Sequence, residues 1–165
     1  MQAQQLLDHI IVPTLKYMGR GYDSLDARML KLATAAPESN CGYWIKQRDN
    51  GPALGIWQME PTTHNDIWRN CDALRKPRFA MHIKKLMIKK SPLNAHQNLI
   101  VSPMYACAMA RLKYAMDRDA LPDHNDKKAI YEYYKRIYNT ELGASTWDKF
   151  RIAWDRNQLS KVKLS

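Results

Sequence analysis

Apolar positions recur at intervals of three and four through most of the chain, and that period predicts helices. Leu6, Leu7, Ile10, Ile11 and Leu15 predict a first helix over residues 2–18, which Pro13 should bend or divide near Val12. Ser24 is a suitable N-cap for a second, with Asp26 in its first turn. Met29, Leu30, Leu32, Ala33 and Ala36 give this helix a broad apolar face, and it points its C-terminus at Glu38. Pro37 lacks a backbone donor, so a kink is expected in the last turn. At Tyr43 the period changes. Tyr43, Ile45 and Gln47 alternate with Trp44, Lys46 and Arg48, and Asp49-Asn50-Gly51 is a turn signal. This pattern predicts a small β-hairpin with Gly55 to Gln58 as its returning arm.

Helical spacing then resumes. Thr63-x-x-Asp66 reads as a capping box for a helix carrying Ile67 and Trp68. Pro77 opens a longer helix to about Lys90, with Phe79, Ile83, Leu86 and Met87 on one face. Arg78, His82, Lys85 and Lys89 form a basic stripe on another. Ser102-Pro103 begins the expected central buried helix, through Met104, Cys107, Ala108, Leu112 and Ala115. Asp126 caps the next, whose Ile130, Tyr133, Tyr134 and Ile137 face inward and whose end delivers Tyr138-Asn139. Ser145-x-x-Asp148 caps the last, with Trp147, Phe150 and Trp154, and Leu159 to Ser165 reads as a frayed basic tail. The chain is therefore expected to be mostly α, a single domain over 1–165 with one small β-hairpin.

A length of 165 residues suits one core. The formal charge of +10 and a pI near 9.6 change the picture more, because they call for an anionic partner: nucleic acid, an acidic membrane surface or an acidic glycan. No apolar run approaches the length of a membrane span, and the first residues lack the pattern of a signal peptide, so synthesis in the cytosol is expected. Cys41, Cys71 and Cys107 fit neither a disulfide framework nor a zinc site and read as buried thiols. The five histidines have no metal-ligand spacing, so no metal is expected.

The candidate chemistry centres on Glu38. A carboxyl beside an apolar helix and close to Tyr43, Trp44 and Trp57 loses solvation, which keeps it protonated near neutral pH and fits it to donate a proton. A helix-end glutamate without other signals is ordinarily just solvated. Gln58 offers a donor and an acceptor to a sugar acetamido or hydroxyl group, or to hairpin backbone. Trp57 reads equally as a sugar platform or as core. Glu60, Asp49 and Asp66 are each candidates for a second acid, and Glu60 equally for a surface salt bridge.

Glu38-Ser39, a hairpin, then Gly55-Ile56-Trp57-Gln58 and Pro61-Thr62-Thr63 together resemble the active-site core of soluble lytic transglycosylases, in the wider lysozyme superfamily. The resemblance covers Leu25 to about Trp68, and Tyr138-Asn139 resembles a Tyr-Asn pair that the family carries on a later helix. It implies an α+β lysozyme-like fold with Glu38 as catalytic acid and base. It implies that Ser39, Gln58, Tyr138 and Asn139 line the substrate site, with the tyrosine hydrogen-bonding near the acid. Glu60 departs from the family, which has an apolar residue there, and joins the substrate-binding candidates. Thr140-Glu141 departs from the usual Ala-Gly.

The implied substrate is peptidoglycan, cut between N-acetylmuramic acid and N-acetylglucosamine, with peptidoglycan strands as the only partner and no cofactor. The products would be 1,6-anhydro ends, or reducing ends if the protein is a lysozyme. Small size, positive charge and the absent signal pattern point to a monomeric bacteriophage or prophage protein that reaches the wall at lysis or from the virion. The alternative is a non-catalytic basic binding or structural virion module using the stripe near Arg78. No nucleic-acid motif accompanies that stripe.

Overall fold

The structure is a computed structural model, described for residues 1–90, 93–140 and 143–165. It is mostly α-helical, with eight helices among the described residues. Helix α1 spans residues 3–18 as Ala3–Leu6, a π turn over Leu7–Ile11, and Val12–Met18. Pro13 explains the π turn. Its ring has no N–H and crowds the carbonyl four residues back, and a locally wider helix relieves that clash without breaking the rod. The Val12 N–H donates back to Leu7, and the Thr14 hydroxyl donates to the Ile10 carbonyl at 2.6 Å.

Helix α2, Leu25–Ser39, is capped by Ser24, whose Oγ accepts from the Ala27 N–H at 3.1 Å. Ten of its fifteen residues are buried, which places it at the centre of the molecule. The helix runs on through Pro37. Its end is closed by Asn40 N–H to the Ala36 carbonyl and Cys41 N–H to the Ala35 carbonyl, so the missing proline donor leaves the last turn intact. Asn40, Cys41 and Gly42 then lie consecutively in the left-handed region, with φ of 51°, 53° and 81°, and turn the chain sharply away from Glu38.

The expected hairpin is reduced to isolated bridges, and there is no β-strand among the described residues. Lys46 pairs with Leu54, and Leu54 pairs on its other side with Met59. The returning arm is therefore centred on Leu54, while residues 55–58 form a second turn. Left-handed residues at both turns cut the ladder short: Asp49 and Asn50 at the first, Gly55 and Gln58 at the second. Gly55 has no substitute here, because a Cβ would lie 2.1 Å from the Leu99 carbonyl oxygen. The tongue thus presses directly on the backbone at Leu99.

Helix α3, Pro61–Asn70, starts at the proline and not at a Thr63 box. Helix α4, Pro77–Lys84, stops well short of Lys90, and the short α5, Asn98–Val101, leads into α6, Pro103–Ala115. Helix α6 is buried from Tyr105 to Leu112 and packs on α1, α2, α3, α4 and α5, the environment expected of a helix that is apolar nearly all round. Helix α7 is Lys127–Tyr134, continued by a π turn over Lys135–Asn139. Helix α8, Trp147–Arg156, uses Thr146 as its cap in place of Ser145. The C-terminal segment is docked, not frayed. Leu159 is fully buried, Lys163 exchanges two hydrogen bonds with Gln4, and the Leu164 carbonyl accepts from Arg28. All three cysteines are buried and unpaired.

Candidate active site

The end of α2, the tongue, the end of α7 and one face of α8 enclose a cleft of about 920 Å³. Glu38, Gln58, Glu60, Tyr138 and Asn139 all line it, so five of the six residues singled out in the sequence come together. Glu141 lies outside the described residues.

Glu38 is partly buried, and Tyr134 donates a hydrogen bond to its Oε1 at 2.7 Å. Burial raises the carboxyl to a pKa of about 7, against the opposing pull of the Tyr134 hydroxyl and the nearby Asn139 amide. Such a group is neutral in much of the population at physiological pH and can still ionise. It can give up a proton and take one back.

An aromatic shelf supports the acid. The Tyr138 ring stacks between Tyr134 and Tyr114, with centroids 6.4 and 5.4 Å away. Each hydroxyl has a defined partner: Tyr134 bonds Glu38, Tyr138 donates to the Trp57 carbonyl at 2.8 Å, and Tyr114 shares a 2.6 Å bond with Thr34. Burial holds all three phenols well above their usual pKa, so they remain neutral. The tyrosine bonded to the acid is therefore Tyr134, one turn before the Tyr138 that the sequence marks. Tyr134 has the same inward spacing as its core neighbours, which hid it; its position four residues before Tyr138 was the available signal.

Asn139 is held from several sides. Its Oδ1 accepts from Lys135 Nζ at 2.9 Å and from the Ser145 N–H at 3.3 Å, while Lys135 also donates to the Gly143 carbonyl. The π turn of α7 delivers this arrangement, a common use of such turns.

Ser39 does not reach the cleft. It is fully buried, donates to the Ile56 carbonyl and accepts from the Gly42 N–H at 2.8 Å. Its placement is that of a pin joining the acid's helix to the tongue, which corrects the expected substrate contact. Gln58 sits at a φ of 44° with its Nε2 donating to the Gly55 carbonyl at 2.8 Å, the backbone role that the sequence left open. It nevertheless forms part of the cleft wall.

Glu60 is exposed on the rim, accepts weakly from Thr62 at 3.5 Å, and has no ion pair among the described residues. Asp49 and Asp66 lie outside the cleft lining. Trp57 is core at 1% exposure, with its indole N–H bonded to the Lys31 carbonyl at 3.0 Å.

Two further features bear on ligands. Asp26, Asp123 and His124 bring three potential metal-ligating atoms within 4.8 Å of one another. Their observed role is to tie the loop before α7 to the first turn of α2 by a 2.7 Å His124–Asp26 bond. The basic stripe of α4 is interrupted, because His82 stacks on Tyr17 at 3.9 Å and bonds its carbonyl.

Comparison with protein-family models, with curated proteins and with solved structures finds no match for this chain.

Proposed function

We propose that the protein is a peptidoglycan-degrading enzyme that cuts the bond between N-acetylmuramic acid and N-acetylglucosamine, with Glu38 as the catalytic residue. One observation carries the reading: among the described residues the only partly buried carboxyl in the cleft wall is Glu38, raised to about 7 and oriented by Tyr134. A helical body with the acid at a helix end beside the tongue supports a lysozyme-like arrangement, although the tongue carries isolated bridges and no β-strand among the described residues.

Protonated Glu38 would donate to the leaving glycosidic oxygen as the bond breaks. The resulting carboxylate, steadied by the Tyr134 hydroxyl, would then remove a proton from the C6 hydroxyl of the muramic residue, which closes a 1,6-anhydro ring. The sugar's acetamido group would stabilise the cation between the two steps. This lytic transglycosylase route needs one acid and no positioned water. The lysozyme route needs a second carboxylate, and exposed Glu60 is the one on the cleft rim. The surplus of positive charge supports action on an anionic wall and a phage or prophage origin.

Mass analysis of soluble fragments released from purified peptidoglycan tests the reading. Anhydromuramyl fragments support the transglycosylase route; labelled reducing ends in isotopic water that vanish in Glu60→Gln replace it with hydrolysis. No release at all leaves a non-catalytic wall-binding or virion module.

A further inference from the structure

The cations of this protein are neutralised unevenly. Arg28, Arg75, Lys127, Lys128, Arg136 and Arg151 each pair with an aspartate or glutamate. In the cleft lining, Arg48, Lys113, Lys149 and Arg156 have no acidic partner among the described residues. Helix α8 makes the contrast within a single element. Its Asp148 is taken by Arg151 and its Asp155 by Lys127, so both acids serve the faces away from the cleft. Lys149, Ile152 and Arg156 stand at helical spacing on the cleft face. Lys149 spends one N–H on the Ala144 carbonyl at 3.0 Å, and Ile152 is 52% exposed between the two cations.

We infer that this face of α8 is a specificity surface for the acidic peptide substituents of the wall glycan, read alongside the sugar strand in the cleft. The inference rests on the proposed glycan cleavage and names the part of the substrate that sets its preference. The hydroxyl and acetamido oxygens of a sugar chain can accept hydrogen bonds from Lys149 and Arg156 but bring no charge to pair with these cations, which have no acidic partner among the described residues. A short peptide with carboxylates separated by alkyl side chains matches a cation–apolar–cation order, each carboxylate meeting one cation and the alkyl portion covering Ile152. Arg48 supplies positive charge from the opposite wall, where its guanidinium lies 5.1 Å from the centre of the Trp44 ring.

The test measures binding of the Glu38→Gln protein to peptidoglycan freed of attached phosphate polymers, either intact or stripped of its peptides by an amidase, which leaves a single lactyl carboxylate on each muramic residue in place of the peptide's spaced carboxylates. Intact strands should bind about twofold to thirtyfold more tightly, the range expected of two exposed ion pairs acting together. Reversal of both charges, Lys149→Glu with Arg156→Glu, should bring that ratio to one or below in a protein that stays folded, since the Lys149–Ala144 bond it removes is a single exposed contact. Equal binding of the two strand types, or a preference that survives the reversal, overturns the inference. Wild-type cleavage of both types, measured in parallel, keeps the two ideas apart. Equal cleavage with equal binding leaves an enzyme without a peptide-reading surface, whereas preferential binding without any cleavage removes the catalytic reading and retains the surface.

Discussion

The Tyr134 hydroxyl reaches Oε1 of Glu38 at 2.7 Å across 96 residues of chain, and this bond joins the end of α2 to the last regular turn of α7. It favours the ionised carboxyl, opposing the burial that raises the pKa to about 7. Removing the donor must therefore raise the pKa further. If protonated Glu38 starts the reaction, wild-type kcat/KM falls as pH rises through about 7, and Tyr134→Phe moves that fall to higher pH while costing about tenfold in rate. A pH–rate profile checks this, and an unmoved alkaline limb would detach Tyr134 from the acid.

Glu38→Gln should lower wall-cleaving activity by about a hundredfold or more while the protein stays folded. Its stability gives a second readout. A carboxyl whose pKa rises from 4.5 to about 7 on folding leaves stability intact below the lower value and removes it as pH climbs to the upper one. Above about pH 7 the ionised group costs the fold on the order of 3 kcal/mol at most, less what its open edge recovers from water. Glu38→Gln should accordingly melt higher than wild type near pH 8 and no higher near pH 4.5.

Ser39→Ala should destabilise the protein by about 1–3 kcal/mol, because it strands both the Ile56 carbonyl and the Gly42 N–H. Chemical denaturation gives the number. Activity should fall with the tongue's loss of attachment, and Ser39→Thr, which keeps the hydroxyl, should recover part of it if the cavity admits the methyl group.

Lys31 is wholly buried, its Nζ has no hydrogen-bond partner, and it lies 4.4 Å from the centre of the Trp57 ring. Desolvation lowers its pKa to about 7 from 10.5. Between those values the unfolded chain holds a proton that the folded chain releases, so stability rises with pH across that window and is lowest below it. Lys31→Met should raise the melting temperature most near pH 6 and least near pH 10, where the folded lysine is neutral and little of the penalty remains. A uniform gain across that range would show that the ammonium is not the source of the penalty.

The helix starts were legible where one side chain had the right reach. Ser24, Ser102 and Asp126 each accept from the N–H three residues on, as the local sequence indicates. Ser145 and Thr146 are adjacent and chemically alike, and only the backbone decides between them. The tongue was legible as a reversal but not as a register, because consecutive left-handed residues are set by what the tongue presses against, such as the Leu99 carbonyl under Gly55. At the site, Glu38, Gln58, Glu60, Tyr138 and Asn139 could be named from local motifs. Tyr134 and the burial of Ser39 could not, since both depend on how α2 meets α7 and the tongue.

The two walls of the cleft differ in stiffness. Glu38 ends a helix packed into the centre of the molecule, and the inner part of the tongue is anchored too, by buried Ile56, Trp57 and Met59, whereas its outer part around Tyr43 to Pro52 is held by the Lys46–Leu54 bridge and a few backbone hydrogen bonds. Tyr43 and Ile45 on that tongue are 70% and 47% exposed. If a glycan strand occupies the cleft, the outer part of the tongue should yield before α2 does, so strand thickness could vary while the Glu38 carboxyl keeps its place. The cleft then resembles a vice with one padded jaw, and the carboxyl is mounted on the jaw that stays fixed.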